Sequence, residues 1–169
     1  LSKGKFIAFC DCDDLWKNNK LELQLNFMKQ NNLNFSFTSY DIIDKNNNFI
    51  NIRKAPSYLN FIKLRNSCDI GLSTVILKKN IFDNDKFQFT NLKTKEDYVL
   101  WMRLAQSGIE MKGFDQRLTS WRKSKNSLSS STIQKLKDGY RVYRIHLDYG
   151  ILKSLFFLVV LSVNFILKN

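Results

Sequence analysis

Three carboxylates fall within four residues at Asp11-Cys12-Asp13-Asp14, and a second acidic pair follows at Glu96-Asp97. Carboxylates this close repel one another, and nothing holds them together unless a cation or a hydrogen-bond donor offsets the charge. A divalent metal is the simplest such partner. Oxygen ligands suit magnesium or manganese, hard ions that keep several waters and bridge to substrate phosphates. Cys10 and Cys12 flank Asp11, but a zinc site would need a second such pair, so they read as small core or loop residues. The plain alternative is structural: Asp11 caps a helix starting near Lys17, and Asp13 and Asp14 stand solvated in a loop. Glu96 and Asp97 carry the same ambiguity, because acids in the first turn of a helix are favoured by its dipole.

The elements around these acids place them. Phe6-Ile7-Ala8-Phe9-Cys10 is an apolar run without alternation, which predicts a strand buried on both faces inside a parallel sheet. Its carboxyl end carries the acids, and in open α/β sheets ligands sit outside the carboxyl ends of the strands. A helix packed on the sheet follows over Lys20 to Lys29, with Leu21, Leu23, Leu25, Phe27 and Met28 as its apolar residues. Phe35 to Tyr40 alternates as a strand, and a turn at Lys45-Asn46-Asn47-Asn48 predicts a hairpin between Tyr40 to Asp44 and Phe49 to Arg53. Beyond Pro56, a short helix is expected over Tyr58 to Arg65, then a buried strand over Ser73 to Leu77. Lys95 to Gln106 has Tyr98, Trp101, Met102 and Ala105 at helical spacing, with Gly108 as its terminator. Glu110 to Phe114 and Arg117 to Trp121 read as two further short strands.

The stretch Gly4 to Trp16, with Lys20-Leu21-Glu22 and Gln24, resembles the Asp-x-Asp segment of the family 2 glycosyltransferases. Their pattern is a glycine, an apolar strand, Asp-x-Asp-Asp, an aromatic, then Lys-Leu and a Gln on the next helix. Glu96-Asp97-Tyr98-x-x-Trp101 with Arg103-Leu104 resembles the same family's Glu-Asp motif. The resemblance implies an α/β, Rossmann-like GT-A fold, a mostly parallel sheet flanked by helices with a helical carboxyl-terminal tail. It implies that Asp11 lies near the donor's ribose, that Asp13, with Asp11, holds Mg2+ or Mn2+ on the diphosphate of a nucleotide-sugar donor, and that Asp14 sits behind them. Asp97 is then the base of an inverting transfer, with Glu96 as the other candidate. Trp121-Arg122 and Ser127-Leu128-Ser129 resemble the family's aromatic-Arg and Ser-x-Ser loop, so Arg122 is a candidate bidentate donor to the diphosphate, or else a surface arginine beside Lys123 and Lys125. The family's Ser-Thr strand lies close to the donor sugar, which makes Thr74 a candidate contact; ordinary turn chemistry is the simpler account of Ser73 and Thr74. The family also has a nucleotide-binding βαβ half ahead of the Asp-x-Asp strand, so the chain is expected to be the carboxyl part of such an enzyme.

With 169 residues and 44% hydrophobic residues, the chain can bury a core. Its 27 Lys and Arg against 15 Asp and Glu, a formal charge of +12, call for an anionic partner. Three cysteines without paired spacing argue against a disulfide framework and for a reducing, cytoplasmic setting. Two units are expected: a glycosyltransferase domain over 1–130 and a tail over 131–169. In the tail, a basic helix bearing Lys137, Arg141 and Arg144 precedes the apolar run Ile151 to Leu167, shorter than a membrane span needs. That predicts a surface anchor on the inner face of the cell membrane, or a helix packed on the amino-terminal half expected ahead of this chain or on a second copy. The expected activity is sugar transfer to a glycan or lipid-linked acceptor in cell-surface polysaccharide synthesis. The alternatives are an inactive fragment or a basic module for anionic lipid or nucleic acid, although no nucleic-acid motif is recognisable.

Overall fold

The computed structural model describes residues 2–124 and 131–168. Strands are β1 (Phe6–Ala8), β2 (Leu15–Trp16), β3 (Phe35–Ile43), β4 (Phe49–Arg53), β5 (Tyr58–Leu59), β6 (Ile76–Lys78) and β7 (Met111–Arg122); helices are α1 (Lys20–Gln30), α2 (Phe61–Asn66), α3 (Glu96–Gln106), α4 (Thr132–Arg141) and α5 (Ile151–Leu167). One sheet contains all seven strands, in the order β1-β6-β3-β7-β2, with β4 on the far half of β3 and β5 against β7. Of the pairings, only β3 with β7 is parallel.

This corrects two expectations about β1. It lies at the end of the strand order and runs antiparallel to β6, rather than inside a parallel sheet. Its residues are partly buried. The unbroken apolar run has another cause: Phe6 and Ala8 pack on one side against Met28, Leu33 and Ile76, while Ile7 and Phe9 pack on the other against the main core. Both faces of the strand therefore meet apolar partners even though its outer edge is open.

The expected hairpin forms between β3 and β4, its turn tied by the Asp44 carboxylate, which accepts the backbone N–H groups of Asn46 and Asn48. The two strands expected over residues 110–121 are one, β7. Thr38 faces Phe114 and Ser39 faces Arg117, so the polar Asp115-Gln116 step is a bulge rather than a break. Ser39 clasps it by donating its hydroxyl to Asp115 while accepting the Ala55 N–H. Gly113 fits because a Cβ there would sit 2.1 Å from the Pro56 carbonyl oxygen. Ser73 and Thr74, expected inside a strand, form a 3₁₀ turn with Leu72, and β6 starts at Ile76.

The core is centred on α3, where Tyr98, Val99, Leu100, Trp101, Met102 and Leu104 are all buried. Trp101 meets Phe35 edge-on at 5.0 Å, and Tyr98 donates its hydroxyl to the Leu64 carbonyl. Gly108, at φ +83°, lets the chain leave α3 as expected. A π-helical turn, Val142–His146, extends α4, and Val142, Tyr143, Phe157 and Leu161 of the tail join the same core as α3. Among the described residues no helix is long and apolar enough to cross a membrane.

Candidate active site

The acidic loop hangs between two anchored strands: β1 is held by β6, and β2 is held by β7 through Leu15 opposite Ser120 and Trp16 opposite Thr119. A tight turn inside the loop is closed by Asp14 N–H donating to the Asp11 carbonyl at 3.1 Å. Asp11 and Asp13 are exposed at this turn and Asp14 is buried.

Ser73 fixes the turn from beneath. Its hydroxyl accepts the Asp11 backbone N–H at 2.9 Å, and its carbonyl accepts both the Trp16 indole N–H at 2.9 Å and the Thr119 hydroxyl at 3.2 Å. One buried serine thus ties the acidic loop to β2 and β7. Desolvation raises the Asp11 and Asp14 carboxyls above the usual range, and the Ser73 hydroxyl draws both back down. Asp14 anchors the loop on the other side, with Oδ1 accepting the Arg122 backbone N–H at 2.9 Å.

Arg122 crosses the top of this assembly. Its Nε donates to the Asp13 carbonyl at 2.8 Å and its Nη1 to the carbonyls of Asp44 at 3.0 Å and Lys45 at 3.4 Å. The guanidinium therefore latches the acidic loop to the β3–β4 turn. Thr74 turns away from the acids, donating its hydroxyl to the Gly71 carbonyl at 2.6 Å. The Ser127-Leu128-Ser129 loop lies outside the described residues.

Below the 3₁₀ turn, α1 supplies a buried polar pair. Lys20, fully buried, donates to Gln24 Oε1 at 2.5 Å and to the Thr74 carbonyl at 3.4 Å. Gln24 Nε2 reaches the Ser36 carbonyl, the Ser36 hydroxyl and the Thr74 carbonyl. Desolvation lowers the Lys20 ammonium to about 8, and its Nζ lies 5.0 Å over the Trp16 ring. The motif residues Lys20 and Gln24 thus hold up the turn that carries Ser73.

Glu96 and Asp97 open α3 after a left-handed Lys95 at φ 68°. That conformation is costly for a side chain other than glycine, and the segment before it is tightly held. Thr94 donates its N–H and its hydroxyl to Asp138 Oδ2 of α4, both at 3.0 Å. Burial drives the Asp97 carboxyl up to about 6, with the Glu96 charge next in effect. Desolvation also raises Glu96. The Asp11 charge adds to both rises, so the two acidic segments, 85 residues apart in the chain, lie within electrostatic reach of each other.

The donor set fits a magnesium or manganese ion shared with a ligand. Asp13 is exposed at the loop tip, and its carboxylate takes no hydrogen bond from the described residues. Among those residues no three His, Cys, Asp or Glu form a cage of their own. An ion on Asp13, with Asp11 beside it, would complete its shell with water and phosphate oxygens, as magnesium commonly does.

The structure also brings forward residues that the motifs alone do not single out. Ser73 has the signature of any small polar residue in a turn, and nothing in the expected strand around Thr119 or the expected basic helix around Asp138 marks either residue. A signal did exist for Lys20 and Gln24, polar residues four apart on a helix otherwise rich in leucine.

The model of glycosyl transferase family 2 matches residues 1–90 of the 169. The chain is 36% identical over 137 residues to WfgD of Escherichia coli, named a UDP-Glc:alpha-D-GlcNAc-diphosphoundecaprenol beta-1,3-glucosyltransferase, covering 80% of this chain and 53% of WfgD. It is 32% identical over 147 residues to TuaG of Bacillus subtilis, named as a teichuronic acid biosynthesis glycosyltransferase, covering 85% of this chain and 56% of TuaG. The chain therefore spans about half the length of the curated relatives it matches. Among solved structures, S. aureus TarS 1-349 in complex with UDP-GlcNAc superposes with a TM-score of 0.63 at 16% identity, over 93% of this chain and 47% of TarS 1-349, a likeness of fold. The α/β sheet with its helical tail is accordingly of the GT-A kind, and the chain belongs to glycosyl transferase family 2.

Proposed function

We propose that the acidic loop and the start of α3 border one site, which transfers a hexose from a nucleotide-diphosphate sugar to an acceptor hydroxyl with inversion at the anomeric carbon. The observation that carries this reading is Asp97: a carboxyl raised to about 6 by burial, within the field of Asp11. A base titrating near the working pH removes a proton efficiently. As the acceptor oxygen bonds to the anomeric carbon, its proton passes to Asp97, and the electrons of the breaking bond leave on the diphosphate oxygen. A metal on Asp13 and Asp11, when bound, supplies Lewis-acid stabilisation of that leaving charge. Asp14 and Ser73 keep the two acids in place, and Asp11 would face the ribose.

The names of WfgD and TuaG support a UDP-sugar donor, a lipid-diphosphate-linked or glycan acceptor, and a role in cell-surface polysaccharide synthesis. The test uses the protein at the length of those relatives, with UDP-glucose as probe. Asp13→Ala should abolish the magnesium dependence of donor binding. Asp97→Asn should leave binding intact and lower turnover about 10²- to 10⁴-fold. In the parent, kcat should rise with pH through about 6 and level off above it, because only the ionised Asp97 accepts the proton. Equal loss of binding in both variants, or a pH limb that survives Asp97→Asn, overturns the assignment.

A further inference from the structure

Helix α5 wears its polarity inside out. The side facing the protein carries Ser154, Asn164 and Lys168 beside Phe157 and Leu161. Ser154 is buried and donates to the Gly150 carbonyl, Asn164 donates to the Asn66 carbonyl at 2.9 Å, and Lys168 binds Asp69 at 2.7 Å. The opposite side is apolar along the whole helix: Leu152, Leu155, Phe156, Val159, Val163 and Ile166 are all exposed, Leu152 by 84% and Ile166 by 71%. Ser162, the polar residue nearest that side, satisfies its hydroxyl on the Leu158 carbonyl of its own helix. At 1.5 Å per residue the 17-residue stripe runs about 25 Å. A contiguous apolar patch of that size marks an interaction site.

Charge selects the partner. The segment 131–168 holds six Lys and Arg against two acids, α5 itself holds no acid, and one of the two acids, Asp138, is buried. Cations stand at both ends of the stripe. Lys135 lies 5.4 Å over the Phe165 ring, and Lys153 lies 4.0 Å over the Tyr149 ring. Arg144, paired with exposed Asp148 at 3.8 Å, adds to the cluster near Tyr149. Desolvation lowers the Lys135 ammonium, with the charges of Lys95 and Lys123 adding to the fall. Apolar residues bordered by cations fit the headgroup and acyl boundary of an anionic bilayer.

We infer that α5 lies flat in the surface of an anionic membrane, its outer stripe among the acyl chains, while its polar inner side stays docked on α2. This extends the proposed lipid-borne acceptor, yet its test reads vesicle binding and is decided separately from sugar transfer.

The test is sedimentation of the full chain with vesicles of phosphatidylglycerol and phosphatidylethanolamine, compared with phosphatidylcholine alone. The expected result is binding to the anionic vesicles, weakened at least tenfold in Leu152→Asp/Val159→Asp and reduced by 0.5 M salt. Thermal melting of the same variant checks that it folds. Phe156→Trp supplies a second readout, gaining blue-shifted emission that brominated acyl chains quench. Absence of binding to anionic vesicles, undiminished binding by the folded double variant, or a parent dimer that the double variant splits into monomers overturns the inference, the last because a second copy would then be the occupant.

Discussion

Helices α1 and α5 both turn polar side chains inward and leave apolar ones exposed, Leu21 on α1 and a whole stripe on α5, for opposite reasons. In α1, Lys20 and Gln24 are buried with Met28 along one line, and Leu21 is 44% exposed. Those polar groups meet the Ser36 and Thr74 carbonyls at the junction of β3 with the 3₁₀ turn, beneath the acidic loop. In α5, the inward polar groups close off the end of α2, whose last carbonyls are unsatisfied within the helix itself. The outward side of α1 also carries Glu22 and Lys29, and its exposed Leu21 stands beside Glu22. The outward side of α5 is leucine, valine, isoleucine and phenylalanine throughout. Inward polarity in α1 thus serves the site, whereas in α5 it frees an apolar face for another medium.

The sharpest way to break this comparison is to remove the polar reach of α1. Gln24→Leu removes the amide that serves the Ser36 hydroxyl and the Ser36 and Thr74 carbonyls, and leaves the buried Lys20 ammonium only the Thr74 carbonyl. Losing an amide that serves a buried charge and a buried hydroxyl together costs about 3 kcal/mol. Denaturant titration should show that loss. A change below about 1 kcal/mol would mean that the pair is incidental to the turn.

Lys20 offers a narrower test through pH. Its ammonium is lowered from 10.5 to about 8 in the folded chain, so between those values the unfolded chain binds more protons and stability rises with pH. Below about pH 8 the burden of a buried charge is fully present. Relative to Lys20→Met, the parent should gain up to about 3 kcal/mol across pH 8 to 10.5. A flat difference would show that the ammonium is well solvated.

These two helices also show how far the sequence could be read. The acidic motif, the β3–β4 hairpin, α3 with its Gly108 stop and the tail helix followed from local pattern, because turn chemistry and capping act over a few residues. The position of β1 did not, since an apolar run records that both faces are covered and says nothing of the direction of its neighbours. The merging of residues 111–122 into one strand was hidden by the polar Asp115-Gln116 step, which only Ser39, 76 residues away, turns into a clasped bulge. In the site, Asp11, Asp13 and Asp97 stood out as carboxylates. Ser73 did not, because its role is defined by Trp16, Thr119 and Asp11, partners the chain brings together only on folding. On α1 the apolar residues Leu25, Phe27 and Met28 do meet the core, but hydrophobic periodicity cannot foresee beside them a buried amide that answers three acceptors.

The smallest effects should separate the two sides of α5. Asn164 caps the α2 terminus through the Asn66 carbonyl, so Asn164→Leu removes one hydrogen bond and leaves a partly buried acceptor, a loss of about 1 kcal/mol. Leu152 on the outer side touches solvent over most of its surface, so Leu152→Gln should change stability by no more than about 0.5 kcal/mol in aqueous buffer. Thermal melts of both variants at several protein concentrations make the comparison. If Leu152→Gln were the more damaging, and more so at high concentration, the outer stripe would be covered in solution by another chain. A neutral Leu152→Gln beside a destabilised Asn164→Leu would instead mean that α5 is fastened from its polar side alone, so that its apolar side can enter and leave a membrane surface without unfolding the domain behind it.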